Sequence, residues 1–380
     1  MAAVEFQLSR TMIDWIASEE GLTTIALAEQ LMPNKKDKFL QGNVTKTAAE
    51  KLAKIGKIPF GYLFLENPPA INKPKIPDLR QTVSPVALSK DFFDTYNDIK
   101  YKIDWYKEHL NEFGIQYKLD FIGKYSINND YRDVAQDISR TIGLDVTKTA
   151  RKVTKDSYFS VACALIEKIG VLVFKNGIVK SNTSRRLDTS EFRGFCLIDD
   201  MVPAVFVNGS DAFSAQVFTL FHELAHIWVG KDGVSNWHFE NKIEAFCNKV
   251  AAEVLMPFTL FKEKWLNESH LSEDTYLIAS HTADYFKVSV YAVAIKAKTL
   301  NLIDEGDFAM IRKNSMGSEK KEAGGANPYA IYPYRNSPKL TDAVLSSAVS
   351  QQLPLREAAN LLNIKAGTVV ELYKKRKSNQ

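Results

Sequence analysis

Cysteine is scarce in this sequence, which excludes two common ways of building a stable or metal-binding fold. The 380 residues include three cysteines, Cys163, Cys196 and Cys247. They are widely spaced, odd in number and never arranged as C-x-x-C, so neither a disulfide framework nor a cysteine zinc site is indicated. We expect all three to be small, buried apolar side chains.

Long hydrophobic runs and a strong excess of one charge are also missing. No apolar stretch approaches the roughly 18 residues needed to span a bilayer, and residues 1–7 lack the basic start and apolar core of a signal peptide. We therefore expect a cytoplasmic protein with no membrane partner. The net charge of +4 is too mild for this length to indicate nucleic-acid binding by itself, so that argument needs local clusters of charge.

The most informative motif of the sequence lies in an apolar helical pattern. Residues 218–228 are FTLFHELAHIW, with His222 and His226 at H-E-x-x-H spacing and Glu223 beside the first histidine. Residues four apart lie one turn above each other on a helix, so both imidazoles can bind one metal. This geometry suits zinc, with Glu223 as the general base. The alternative, two core histidines satisfied by backbone, leaves a buried carboxylate unexplained.

A catalytic zinc site usually has three protein ligands and keeps a fourth position for water, so the motif predicts another ligand downstream. The candidates are His238, Glu240, Glu244 and Glu253. We favour Glu244, because it shares a helix face with Asn248 and lies near Cys247 and Ala251, small residues that let two helices approach closely. We expect His238 to lie in the connecting loop.

Three β-rich runs precede the motif. Residues 171–174, 192–198 and 204–207 predict strands. Ser210 or Asp211 is placed to cap the helix that carries the two histidines. From its order in the chain, we expect Asn208, or a residue on its strand edge, to hydrogen-bond the main chain of a substrate added as a strand.

The first 66 residues predict a small all-α domain of the helix-turn-helix type. Two amphipathic patterns break at Gly21, and residues 33–44 should hold the recognition helix. Between residues 35 and 57, seven lysines stand against two acidic residues, a patch that could meet phosphates. The alternative is a degenerate helical domain with solvated lysines, which Pro33 favours because it stands where the recognition helix should begin.

The remaining segments flank a region at residues 130–312 that carries the strands and the motif. Residues 67–129 predict a proline-rich linker and one long helix over 90–113, because four prolines within 67–77 disfavour both helix and strand. Residues 313–380 predict a loop and a C-terminal helical extension ending in the basic run at 374–377. That run is either a solvated tail or a nucleic-acid contact.

Together, these segments resemble the ImmA/IrrE family of zinc metallopeptidases. The resemblance spans about residues 130–312 and runs through residues 192–195, 203–208, 218–226 and 244–257. It implies zinc bound by His222, His226 and Glu244, with Glu223 as the catalytic glutamate. The order of an XRE-like domain, a proline-rich linker and a peptidase domain is also similar to an arrangement common in that family.

We therefore expect an α+β protein in which a zincin-like metallopeptidase domain, a small sheet plus the motif helix, follows the helix-turn-helix-like domain. The predicted activity is that of a zinc endopeptidase of the gluzincin type. Glu223 would take a proton from water and pass it to the leaving amine. His238 and Tyr329 are candidate oxyanion donors.

The resemblance also implies a substrate, a helix-turn-helix repressor of a phage or mobile element, whose cleavage would cause derepression. A rival interpretation is a DNA-binding regulator or toxin–antitoxin component that uses the peptidase fold as a sensor or scaffold. In a third interpretation, the N-terminal domain recruits the protein substrate by repressor-like dimerisation, and the chain forms a homodimer.

Overall fold

The computed structural model divides the chain into two units, residues 1–75 and 76–380. It describes residues 5–20, 22–56, 58–68, 88–230, 237–315 and 327–378. Most of the proline-rich stretch at 67–77 lies outside the described residues. No helix within the described ranges is long and apolar enough to cross a membrane.

The first unit combines short helices with a two-stranded ribbon. Its elements are β1 (Glu5–Gln7), α1 (Arg10–Glu19), α2 (Thr24–Leu31), α3 (Lys36–Leu40), β2 (Asn43–Thr45) and α4 (Lys46–Ile55). β1 and β2 pair antiparallel, and Val44 is fully buried in the core of the unit. The expectation of an all-α domain is therefore wrong in this respect, because strands of three residues are too short to show an alternating pattern in the sequence.

The segment expected to hold a recognition helix is broken in the structure. Residues Pro33–Lys35 form a 3-10 turn, and α3 after it has five residues. Pro33 has no N–H to donate and a fixed φ, so it starts a new turn instead of continuing α2.

The second unit surrounds a three-stranded sheet with helices. Before the motif helix lie α5 (Lys90–Glu112), α6 (Tyr131–Ile142), α7 (Val146–Lys152), α8 (Lys155–Lys168), β3 (Leu172–Asn176), β4 (Ile178–Val179), β5 (Asn182–Arg186), β6 (Gly194–Leu197) and β7 (Ala204–Asn208). The helices that follow are α9 (Phe213–Val229), α10 (Trp237–Leu255), α11 (Phe258–Ser269), α12 (Thr275–Phe286), α13 (Val290–Thr299), α14 (Glu305–Ser315), α15 (Pro328–Arg335), α16 (Pro338–Val349), α17 (Leu355–Leu362) and α18 (Ala366–Lys377).

The three predicted strands form this sheet, in the order β3-β7-β6. β3 runs parallel to β7, and β6 runs antiparallel to it, so β7 is central. The hairpin of β4 and β5 was not predicted from the sequence, because β5 is polar and largely exposed and shows no apolar alternation.

Both faces of the sheet are buried. Val173, Val205 and Val207 belong to the core shared with α8 and α9. On the opposite face, Leu172 and Phe174 belong to a second core with α5 and the C-terminal helices. Because side chains alternate across a strand, one run of apolar residues supplies side chains to both cores. The motif helix therefore lies on one face, and the C-terminal helices lie on the other.

The long helix expected at residues 90–113 is confirmed as α5. Its aromatic residues belong to the core, as expected from their helical period. Phe92 is fully buried, and its ring meets that of Phe192 edge to face at a centroid distance of 4.9 Å. Two of the cysteines, Cys163 and Cys247, are buried as expected, and Cys196 is partly buried.

Candidate metal centre

The motif helix α9 is held at both ends by neighbouring loops. At its C-terminus, Gly123 N donates to Ile227 O (3.0 Å) and Tyr125 N donates to Trp228 O (3.1 Å), so another segment satisfies carbonyls that a helix end leaves unpaired. The helix ends at Gly230, which has φ +64°, and a Cβ there would lie 2.3 Å from Gly123 Cα. Glycine is needed at this contact both for its backbone angle and for its lack of a side chain.

The start of α9 differs from the expectation that Ser210 or Asp211 would cap it. The N-cap residue is Ala212, without a side-chain hydrogen bond. Ser210 Oγ donates to Gly177 O instead (3.0 Å), and Asp211 Oδ1 accepts from the adjacent Ala212 N (2.9 Å). Both side chains stabilise the turn after β7, because the helix begins later than the sequence pattern indicated.

Three donor atoms from two helices converge beside Glu223. His222 Nε2 lies 3.0 Å from one carboxylate oxygen of Glu244, and His226 Nε2 lies 3.1 Å from the other. The two Nε2 atoms are 3.1 Å apart. Within the described part of the chain, these three residues form the one group of acidic, histidine or cysteine side chains that could hold a metal. His222 is fully buried, and the side chain of Glu244 is 20% exposed.

The donor set fits zinc in both chemistry and spacing. Two imidazole nitrogens and a carboxylate oxygen are typical ligands of a catalytic zinc site. With bonds of about 2.0–2.1 Å in a tetrahedral site, neighbouring donor atoms lie about 3.3 Å apart, which is close to the separations in this structure. The separations between the carboxylate oxygens and the two nitrogens thus suit ligands of this ion.

Close packing of α10 against α9 brings Glu244 to the histidines. Cys247 and Ala251 are fully buried, in agreement with the expectation that small residues allow the close approach. Burial raises the pKa of Glu244, but hydrogen bonds from His222 and His226 outweigh it and hold the pKa well below its ordinary value. The position between these groups therefore attracts positive charge.

The position of Glu223 depends on a close contact between α9 and β6 that sequence reasoning missed. Glu223 is 4% exposed. A Cβ on Gly194 would lie 2.6 Å from Thr219 Cγ2, 2.7 Å from Phe206 O and 3.2 Å from Glu223 Cγ. The signal in the sequence was a glycine inside a strand pattern, which often marks a close approach of another element.

A buried aspartate on α6 anchors the same helix. Asp137 is 2% exposed and accepts hydrogen bonds from Trp228 Nε1 (3.0 Å) and Lys124 Nζ (2.9 Å). Because Trp228 follows His226 by two residues, this contact fixes the turn of α9 that carries the second histidine.

Several other predicted site residues are not part of this cluster. Asn208 is fully buried on the central strand, where its Nδ2 donates to Phe192 O (3.1 Å) and its Oδ1 accepts from Ser210 N (2.9 Å). The expectation that it binds substrate is therefore wrong, because a central strand has no free edge. Glu253 is not a ligand, since it pairs with Lys296 and accepts from Phe258 N.

Of the two candidate oxyanion donors, Tyr329 is the one whose side chain the structure describes, and its partners lie on α18. Tyr329 donates to Glu371 on α18, and the ring of Tyr329 lies under Lys375 Nζ. Residue 238 lies in the first turn of α10, not in a loop. The side chains of His238 and Glu240 lie outside the described residues.

Comparison with known proteins finds similarity to a peptidase family. Residues 166–298 match the model of a peptidase family described as the IrrE N-terminal-like domain. The match includes the three donor residues and Glu223, supports the resemblance to the ImmA/IrrE family, and indicates a metallopeptidase-type domain. Residues 336–375 match a domain of unknown function. None of the curated proteins matches the chain.

Proposed function

We propose that this protein is a zinc-dependent endopeptidase with His222, His226 and Glu244 as metal ligands and Glu223 as the general base. The observation that supports this most strongly lies inside a peptidase-family domain: the Nε2 atoms of His222 and His226 are 3.1 Å apart, and each lies 3.0–3.1 Å from one of the two carboxylate oxygens of Glu244. Both the chemistry and the spacing of these atoms suit zinc.

In the proposed peptide hydrolysis, the metal and Glu223 have separate roles. A bound zinc would supply Lewis acidity, which polarises a peptide carbonyl and makes water easier to deprotonate. Glu223 accepts the proton of the attacking water and returns it to the leaving amine. The adjacent buried helices limit the access of bulk solvent to this carboxylate.

We expect the substrate main chain to lie beside Glu223. Among the described residues, β6 pairs with β7 alone, so the outer edge of β6 can accept another strand. Gly194 begins β6 and lies against Glu223. A peptide added to this edge would pass the general base, and this role replaces the one expected for Asn208.

The proposed substrate is a helix-turn-helix repressor of a phage or mobile element, so that cleavage causes derepression. The support for this step is the resemblance to the ImmA/IrrE family, not a specificity residue of this chain. The first unit would act as the recruiting domain, by dimerisation or by weak DNA binding through its lysines.

Metal analysis tests the site. Purified protein is expected to contain about one zinc per chain. Glu244→Ala should lose it, and Glu263→Ala, a matched change at an exposed glutamate of α11, should keep it. Absence of zinc from the wild-type chain after zinc supplementation would refute the proposed centre.

Cleavage tests the activity separately from the metal. Wild type and Glu223→Gln are incubated with the repressor encoded beside the gene, and fragments are identified by mass spectrometry. We expect fragments with wild type alone, although the Gln variant keeps its zinc. Equal results for the two proteins would contradict the role of Glu223, and operator binding without cleavage would favour the regulator interpretation.

A further inference from the structure

The last three helices form a small module, in which α17 and α18 are joined as in a helix-turn-helix motif. α16, α17 and α18 bury a shared set of apolar side chains, each at most 1% exposed: Val344, Leu345, Ala358, Leu361, Leu362, Val369 and Leu372. Residues 363–365 join α17 to α18, and Asn363 adopts the left-handed conformation (φ 53°, ψ 40°). A three-residue turn with one left-handed residue is typical of this motif.

The third helix of this module is long enough to read a duplex, in contrast to its counterpart in the first unit. α18 has 12 residues and α3 has five. At 1.5 Å per residue these correspond to about 18 Å and about 7.5 Å. A helix as short as α3 has little more than one turn. The module formed by α16, α17 and α18 is therefore the better candidate for a DNA-binding element.

The outer surface of the module is open and basic. Residues 351–378 include six basic and two acidic side chains. Val369 and Leu372 face the core, and the opposite face of α18 exposes Gly367, Lys374 and Lys377. Exposed lysines on one helix face provide positive charge that attracts phosphates.

Some of these basic side chains interact with other residues of the second unit, and others form no ion pair among the described residues. Arg376 Nη2 pairs with Asp342 Oδ2 of α16 (2.6 Å), and Tyr329 engages Glu371 and Lys375. Four basic side chains form no ion pair within the described part of the chain: Arg356, Lys365, Lys374 and Lys377. They are therefore available to neutralise phosphates.

We propose that α16–α18 is a DNA-binding helix-turn-helix module in which α18 enters the major groove. In this arrangement the N-terminal turn of α18, around Gly367 and Thr368, faces base edges, and α17 crosses the phosphate backbone. Lys374 and Lys377 contact phosphates along the groove. A Cβ on Gly367 would have no neighbour within 4 Å, so this turn has open space in front of it. The inference stands independently of the peptidase activity.

The test uses the full chain and a labelled pool of random 30-base-pair duplexes, with affinity measured by fluorescence anisotropy from low to moderate salt. We expect wild type to bind duplex DNA with a salt-dependent affinity. Lys374→Glu with Lys377→Glu should weaken binding about tenfold or more and reduce the salt slope by about two. Gly367→Glu, at a position with room for a side chain, should also weaken binding.

The matched control is Lys262→Glu with Lys313→Glu, the same charge change at two exposed lysines of α11 and α14, and it should leave duplex affinity unchanged. Circular dichroism checks that the variants remain folded. Any of three results would overturn the proposal: no duplex binding by wild type at low salt, loss of binding in the Lys262/Lys313 variant alone, or equal binding to duplex DNA, single-stranded RNA and anionic vesicles.

Discussion

At the scale of single residues, the metal centre depends on a position that carries no reactive group. Gly194 lets β6 approach α9 so closely that a methyl group would meet both backbone and side chain. The three donor residues were indicated by local spacing on helices, which the sequence displays directly. The contact between Gly194 and Thr219 joins residues 25 apart, and only the packing of the helix on the sheet brings them together.

We predict that Gly194→Ala impairs catalysis more than metal binding. The new Cβ would lie 2.6 Å from Thr219 Cγ2 and 3.2 Å from Glu223 Cγ, so the general base must move, whereas the ligands lie further from the change. Overpacking of this kind costs about 1–3 kcal/mol of unfolding free energy. Urea unfolding, zinc content and kcat measured on the same protein would show this pattern.

Gly61→Ala provides the control, because a Cβ there would have no neighbour within 4 Å. It should leave stability and kcat near their wild-type values. Normal kcat in Gly194→Ala would mean that the contact with Glu223 does not position the base.

The residue scale also shows why one sequence-based site prediction was wrong. Asn208 follows an apolar strand and precedes the motif helix, so its order in the chain favoured a role at a sheet edge. Strand order depends on the parallel pairing of β3 with β7, which comes from long-range packing and leaves no local pattern. Within the described part of the chain, the same order places β6 at the edge of the sheet.

At the scale of elements, a buried glutamate joins α8 to α16. Glu167 is 6% exposed, and its carboxylate accepts from Lys339 N (2.9 Å), Val173 N (3.3 Å) and Ser337 Oγ (2.5 Å). Ser337 has φ 60°, a left-handed conformation that costs energy for a residue with a side chain. The carboxylate thus stabilises a strained start of α16.

We predict that this junction makes stability depend on pH. Burial raises the pKa of Glu167 to about 7, against the opposing hydrogen bonds from Ser337, Val173 and Lys339. The unfolded chain releases this proton near pH 4.3, so between about pH 4 and 7 the folded state retains a proton that the unfolded state has lost. The contribution of Glu167 to stability therefore decreases as pH rises through this window.

Glu167→Gln removes the titrating group, so its unfolding free energy should decrease less than that of wild type between pH 5 and pH 8. Urea unfolding of both proteins at matched pH values measures the difference, and comparing the two slopes cancels groups that titrate in both. Identical slopes would show that Glu167 keeps an ordinary pKa.

The elements themselves were predictable to different degrees. The helices show the period of 3.6 residues that amphipathic burial produces, and the three sheet strands include short apolar runs, which suit strands buried on both faces. The β4–β5 hairpin and the ribbon of the first unit are too short or too polar to show either pattern. The sequence also could not indicate that α5 and α16 cover the same sheet face, because an apolar stripe does not identify its partner.

At the scale of the whole molecule, the C-terminal helices complete the core of the second unit. Their buried side chains belong to the same cluster as Leu172 and Phe174 on β3. The first unit has a core of its own, built from residues 8–63. The two ends of the chain therefore contribute differently to the stability of the sheet on which the motif helix α9 packs.

We predict opposite outcomes for two truncations. A chain ending at residue 315 would uncover the sheet face of Leu172 and Phe174 together with the apolar side of α5. Each buried Leu or Phe side chain contributes about 1.5–3 kcal/mol, so this loss takes a large part of a net stability of about 5–15 kcal/mol. Thermal melts should show no cooperative transition, and zinc should be lost.

A chain starting at residue 76 keeps both cores of the second unit and should retain its melting temperature and its zinc. Cooperative unfolding of the 1–315 chain with bound metal would show that the peptidase domain does not depend on its C-terminal helices.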